Sequence, residues 1–260
     1  MSVSGNLSGL YAARSCSPSS SHHTMKATLV IAAYNEAENI GPLTSRIIST
    51  LDAVDGLTWE LVYVIEGTDA SRSIAQSFAD QRSEIRIIYN AAPSGLGNAF
   101  RQGFAAVLPD SDVIITMDAD LNHQPEEIPG LIAALSRRNA EIVIGSRKVS
   151  GSVIEGAPYW KTALSNAVNG LIRKMIGMPV ADQTSGYRVY RYAAFQRISF
   201  DNPGFAFLPE ILLQAHALKL TMVEEPICFK FRIAGQSKMA LIPTARSYLA
   251  MLASRFRKSR

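Results

Sequence analysis

Residues 112–122 read DVIITMDADLN. The apolar run Asp112–Met117 ends on two carboxylates, Asp118 and Asp120, with Asn122 two residues further on. An unbroken apolar run of this kind is the pattern of a strand buried on both faces of a parallel sheet. Four more candidate strands have a similar character: Thr28–Ala33, Trp59–Ile65, Ile85–Tyr89 and Glu141–Ile144. Between them lie helical stretches from about Glu38 to Leu51, Ser71–Ala79, Asn98–Val107 and Pro125–Arg138. Strand and helix in alternation predict an α/β chain built on a mostly parallel sheet with helices on both faces. Ligands bind beyond the carboxyl ends of such strands. The residues to inspect are therefore Tyr34–Glu36, Glu66–Asp69, Asp118–Asn122 and Gly145–Arg147. After Arg147 the alternation breaks down. A helix is expected over Trp160–Ile176, a short strand over Tyr187–Arg191 and a helix over Pro209–Leu218. An extended stretch follows at Thr221–Phe231, then a last helix from Pro243 to about Phe256.

Composition narrows the class. The chain has 260 residues, 47% hydrophobic and 18% charged, which is globular and long enough for a full core. Its two cysteines, Cys16 and Cys228, are too few for a disulfide framework or a cysteine-based zinc site. The longest stretch without charge, Ile87–Phe100, falls short of the roughly 20 apolar residues of a spanning helix. The net charge of +4 hides a division. Residues 36–136 hold 5 basic and 15 acidic residues, whereas residues 137–260 hold 19 and 7. Such asymmetry raises the question of partners. Residues 1–25, rich in Ser, are expected to be a disordered tail. Nucleic acid is not expected as a partner.

Each motif carries a chemical and a plain reading. Asp118 and Asp120, at the end of a buried strand, can both reach one hard cation, Mg²⁺ or Mn²⁺, with Asn122 as a third oxygen ligand. The alternative is a solvated turn, which that placement disfavours. Ser94-Gly95-Leu96-Gly97 opens a helix, and its amides either hold a phosphate or let the turn pack tightly. Gly145-Ser146-Arg147 ends a strand, and Arg147 either neutralises a diphosphate or is an ordinary surface arginine. In Asp182-Gln183-Thr184-Ser185-Gly186-Tyr187-Arg188, Asp182 is a general base or a loop organiser. Arg232 and Lys238 flank a polar loop suited to an anionic acceptor. The C-terminal segment combines an apolar helix face with Arg246, Arg255, Arg257, Lys258 and Arg260. It either lies on an anionic membrane or packs on the core. No G-x-S-x-G elbow is present and the four histidines are scattered, so nucleophilic hydrolysis and His-based zinc are poorly supported.

Taken in order, these motifs resemble family 2 glycosyltransferases. They are Tyr34-Asn35-Glu36, an acid after the second strand, Gly95-Leu96-Gly97, Asp118 to His123, Gly145-Ser146-Arg147, and Arg232 with Ser237-Lys238. The resemblance is to the dolichol-phosphate mannose synthase group in particular, and it runs from Thr28 to Lys238. It implies a GT-A fold over residues 26–238, followed by a basic amphipathic segment at 239–260. It implies a nucleotide-sugar donor (GDP-mannose or a UDP-sugar), a divalent cation, a polyprenyl-phosphate acceptor and an inverted product. The enzyme would then sit peripherally on the cytosolic face of a membrane, with a separate membrane subunit as a further possible partner. By position, Tyr34, Glu36 and Glu66 would line the nucleotide site. Asp118, Asp120 and Asn122 would hold the metal, Arg147 would contact phosphate, and Arg232 with Lys238 would bind the acceptor phosphate. Transfer to a hydroxyl would instead require Asp182 as base. A third reading is a non-catalytic lipid-phosphate-binding module. The chain departs from the family pattern at Ala32-Ala33, where Pro is common, and at Ile65-Glu66-Gly67-Thr68, where Asp-Asp-Gly-Ser is common. Asn166 stands where the family has Arg, and Leu208-Pro209 also differs.

Overall fold

The computed structural model describes residues 24–156, 169–170, 173 and 177–231. The helices expected at 160–176 and 243–256, and with them Asn166, Arg232 and Lys238, lie outside the described residues, apart from 169, 170 and 173. In chain order the described elements are β1 (Met25–Tyr34), α1 (Ala37–Asp52), β2 (Leu57–Glu66), α2 (Ser71–Ala79), β3 (Ile85–Asn90), α3 (Leu96–Ala105) and β4 (Val113–Thr116). Then come α4 (Ile128–Arg137), β5 (Ile142–Ser146), β6 (Val153–Glu155), β7 (Arg188–Arg191), a four-residue helical turn (Tyr192–Phe195), α5 (Phe207–Ala217), β8 (Met222–Pro226) and β9 (Cys228–Lys230).

Seven strands form one sheet in the order β3-β2-β1-β4-β7-β5-β8. All pairings are parallel except those of β7, which runs antiparallel between β4 and β5. The apolar runs of the sequence supply this sheet because both of its faces are covered. Leu61, Tyr63 and Ile65 of β2 face a core shared with Ile40, Leu43 and Ile47 of α1 and Leu131 of α4. Val62 and Val30 face the opposite core, built with Phe100 of α3 and Phe207 and Ile211 of α5. A mostly parallel sheet with helices on both faces, the GT-A arrangement, is thus present.

The strand order places the site. The chain steps outward from β1 to β2 to β3, then returns to lay β4 on the other side of β1. That reversal opens a crevice beyond the carboxyl ends of β1 and β4, where open α/β sheets bind ligands. Tyr34–Glu36 and Asp118–Asn122 stand at and just beyond the carboxyl ends of those two neighbouring strands.

Three local readings change. The helix expected from Pro125 starts as a single 3₁₀ turn, Pro125–Glu127, before the α-helix of α4. Pro125 and Pro129 lack amide hydrogens, and the side chains of Glu126 and Glu127 bond elsewhere. The extended stretch 221–231 divides at Ile227, so that β8 pairs with β5 and β9 pairs with β6 in a separate two-stranded sheet. Strand β6 was not foreseen. It has three residues, all exposed, and its partner lies 75 positions away in register.

Candidate active site

The first two loops of the edge hold each other. Asn35 takes a left-handed backbone, φ 51°, and its Oδ1 accepts from the amides of Thr68 (3.2 Å) and Asp69 (3.4 Å). Asp69 in turn accepts from the amides of Ala37 (3.0 Å) and Ser71 (3.0 Å), and the Glu36 amide donates to Ser71 Oγ at 2.8 Å. This network fixes Tyr34, which is 42% exposed, beside Glu66 in the strand register. Glu36 Oε2 accepts from Asn39 Nδ2 at 2.5 Å.

Glu66 is buried, pointing toward the start of α3, where its Oε1 accepts from the Ser94 amide (3.0 Å) and Ser94 Oγ (2.6 Å). The glycine turn that follows serves packing. A Cβ on Gly97 would stand 2.0 Å from the Asn202 carbonyl oxygen, and the Gly97 amide already donates to the Pro203 carbonyl at 2.8 Å. Of the two readings open for Ser94–Gly97, the tight turn is the one the backbone bonds support.

The loop after β4 is braced from three sides. Arg46 of α1 donates to both oxygens of Glu126 (2.8 and 2.6 Å) and to Gln124 Oε1 (2.8 Å). Tyr187 Oη donates to the Gln124 carbonyl at 2.9 Å. The amides of β9 close the third side, Cys228 onto Glu127 Oε1 (2.7 Å) and Lys230 onto the Asn122 carbonyl (2.9 Å). Within this frame Asp120 accepts from the Asn122 amide (3.2 Å) and Asn122 Nδ2 (2.7 Å). Asp118 lies over Gly186, where a Cβ would come within 2.7 Å of its Oδ1. Its side chain is 37% exposed. Asn122 Oδ1 is buried and has no hydrogen-bond partner among the described residues. Two carboxylates and an orphaned buried amide oxygen make an all-oxygen donor set, which fits a hard divalent cation. No group of three His, Cys, Asp or Glu side chains converges among the described residues, so substrate or water oxygens would have to complete the shell.

Beyond β7 the edge changes sign. Arg147 Nε donates to Asp182 Oδ2 at 2.7 Å, one terminal nitrogen donates to Oδ1 at 2.8 Å, and the Arg147 amide adds a third bond at 3.0 Å. Thr184 Oγ1 accepts from the same terminal nitrogen at 3.0 Å. The Arg147 guanidinium also lies 5.1 Å from the Phe229 ring centre. Asp182 has no exposed side-chain surface. Burial by itself would raise its pKa, but the charge and hydrogen bonds of Arg147 overcome that and hold it at about 2. The Lys148 ammonium beside this pair is pushed down, by burial first. Glu224 fixes the loop from below, accepting from the amides of Ala181 (2.7 Å) and Asp182 (2.9 Å).

Comparison with known proteins agrees with this layout. Residues 28–199 match the family model described as Glycosyl transferase family 2. The chain belongs to glycosyl transferase family 2. This glycosyltransferase is 33% identical to a dolichol-phosphate mannosyltransferase of Pyrococcus furiosus over 83% of its own length, but it spans only 59% of that relative. It is 33% identical to an undecaprenyl-phosphate mannosyltransferase of Micrococcus luteus, covering 83% of this chain and 88% of the relative. It is 30% identical to a polyprenol monophosphomannose synthase of Mycolicibacterium smegmatis, covering 86% and 84%. Among solved structures, glucosyl-3-phosphoglycerate synthase of Mycobacterium tuberculosis, in complex with Mn²⁺, UDP and glucosyl-3-phosphoglycerate, shares the fold. Its TM-score is 0.64 at 23% identity, over 89% of this chain and 80% of that one.

The transferase fold thus brings Tyr34, Glu36, Glu66, Asp118, Asp120, Asn122, Arg147 and Asp182 to one edge. It also brings in a residue to which the sequence reading gave no role of its own. His123 is 1% exposed and packs against the rings of Tyr187 (5.0 Å) and Phe229 (5.2 Å). Burial lowers its pKa to about 4, so the imidazole is neutral at pH 7. Its Nδ1 faces Asp118, 3.5 Å from the amide and 3.6 Å from Oδ2. The only local signal was its place one residue after Asn122.

Proposed function

We propose that this glycosyltransferase moves a hexosyl group from a nucleoside-diphosphate sugar to a polyprenyl phosphate, with inversion and with Mg²⁺ or Mn²⁺ bound. One observation carries the choice of acceptor. The candidate base of the site, Asp182, is fully buried, has both oxygens bonded to Arg147 and has a pKa of about 2. A group in that state has negligible affinity for a hydroxyl proton at pH 7. A phosphate monoester, with its second pKa near 6, arrives already ionised and needs no base. The names of the three relatives point to the same acceptor class.

In this reading a phosphate oxygen of the lipid attacks the anomeric carbon from the face opposite the leaving group. The new C–O bond forms as the bond from that carbon to the diphosphate oxygen breaks, and the nucleoside diphosphate leaves with the electron pair. Asp118, Asp120 and Asn122 would hold the cation, which when bound neutralises charge growing on the leaving diphosphate. Tyr34, Glu36 and Glu66 line the nucleoside side. Arg147 adds fixed positive charge, because Asp182 prevents it from swinging away. Arg232 and Lys238, just beyond β9, are assigned to the acceptor phosphate, and the basic segment 239–260 to an anionic, cytosolic membrane face. Among the described residues no helix is long and apolar enough to cross a bilayer.

The test is transfer of radiolabelled sugar from a panel of nucleotide sugars to a short polyprenyl phosphate, with Mn²⁺ or Mg²⁺. Transfer to the lipid phosphate and none to soluble hydroxyl acceptors is expected. Absence of transfer from every donor would sink the proposal.

A further inference from the structure

Glu66 is 4% exposed at the end of β2, and its two oxygens are not equivalent. Oε1 accepts from the Ser94 amide at 3.0 Å and from Ser94 Oγ at 2.6 Å, with Asn90 Nδ2 at 3.4 Å. Oε1 thus accepts every hydrogen bond that the described residues give to this side chain. Asn90 Nδ2 in turn has its better acceptor in Gln102 Oε1, at 3.0 Å. Among the described residues, Oε2 has no hydrogen-bond partner. The carboxylate is therefore held rigidly, with one oxygen left to recognise something.

The direction of the nucleoside follows from the sheet. With the diphosphate at the loop after β4, one neighbouring side is taken by the Arg147–Asp182 pair beyond β7. The other side runs over the end of β1, where Tyr34 is 42% exposed, to Glu66 beside it. A base placed there meets the open oxygen of a buried, rigidly held side chain.

Taking the donor-site reading above as given, we propose that Glu66 reads a single base N–H and thereby selects a uracil nucleotide over a guanine nucleotide. Guanine offers N1–H and N2–H side by side, and a carboxylate satisfies them best with both oxygens. Here one of those donors would stay unpaired in a buried place, or Ser94 would have to be displaced. Cytosine and adenine place a lone-pair nitrogen on the same edge, which faces the carboxylate unfavourably. Uracil has one N–H on that edge, N3–H, which matches the one open oxygen. Glu66 in place of the family's paired aspartates is thus a specificity element, and Ser94 is the residue that sets it.

Calorimetry of the full chain with Mn²⁺ tests this with UDP, GDP, inosine diphosphate and N3-methyl-UDP. UDP is expected to bind at least about tenfold more tightly than GDP. Inosine diphosphate, which lacks the 2-amino group, should bind more tightly than GDP and approach UDP, because it leaves no buried donor unpaired. N3-methylation should abolish the advantage of UDP. Ser94→Ala removes the Oγ bond and opens one position on Oε1 while the amide bond stays, so GDP should gain on both UDP and inosine diphosphate. GDP binding as tightly as UDP, or a GDP preference over inosine diphosphate in the unmutated chain, would overturn the inference while leaving the transferase reading intact. If no nucleoside diphosphate binds, the donor-site reading itself fails, and the base assignment falls with it.

Discussion

Asp182 and the pair Asp118–Asp120 stand on the same edge of one sheet, yet their surroundings are opposite. Asp182 has no exposed side-chain surface and both oxygens on a guanidinium. Asp118 is 37% exposed, and Asp120 accepts from the amide and side chain of Asn122, whose own Oδ1 is buried without a partner among the described residues. A carboxylate neutralised by arginine is part of the scaffold. Carboxylates beside an amide oxygen that lacks a partner among the described residues form the all-oxygen set to which the proposal assigns the cation. Residue type alone does not separate these roles; the charge delivered to each carboxylate does.

The sharpest way to break the contrast is to remove one member of each site. Asp118→Ala or Asp120→Ala should lower transfer by roughly a thousandfold or more, the order seen when charge stabilisation of a leaving group is lost. Metal-dependent UDP binding should fall with it, while the melting temperature stays near that of the parent. Asp182→Asn should do the reverse to the fold. Breaking a buried ion pair costs about 3–5 kcal/mol, which urea unfolding would register. A stable but inactive Asp182→Asn enzyme would return Asp182 to the role of base.

The pH dependence of stability separates the sites further. The fold keeps His123 neutral down to about pH 4, whereas in the unfolded chain the histidine protonates near 6.5. Stability is therefore complete above about pH 6.5 and falls as pH drops toward 4, by up to about 3 kcal/mol. His123→Gln should flatten that slope in metal-free protein. Asp182, with its pKa held at about 2, contributes in full above about pH 4 and is lost only as pH falls toward 2, a loss of about 2 kcal/mol. Asp182→Asn should remove this more acidic part of the curve and leave the first untouched. The smallest effect belongs to the brace. Glu126→Ala breaks an ion pair whose partners are 33% and 55% exposed, and should cost under about 1 kcal/mol.

Much of this molecule was legible from its chain. The runs around Leu29–Ile31, Leu61–Ile65 and Val113–Ile115 read as buried strands and are buried. Asp118 and Asp120 read as a strand-end pair and are one. Strand β7 was expected as a strand, but nothing local in Tyr187–Arg191 says that it inserts antiparallel between β4 and β5. The three-residue β6 is too short and too exposed to leave a period. His123 looked like one of four scattered histidines until burial set it against Asp118.

The alternation of strand and helix and the placing of acidic residues at strand ends are written in the chain. Both are local properties, written in hydrophobic runs and in the residue that follows each run. The surroundings of each carboxylate come from the folded chain. Arg147 reaches Asp182 across 35 positions, and Ser94 reaches Glu66 across 28. A carboxylate's proton affinity and open lone pairs are set by such distant neighbours, and no spacing in the chain records them.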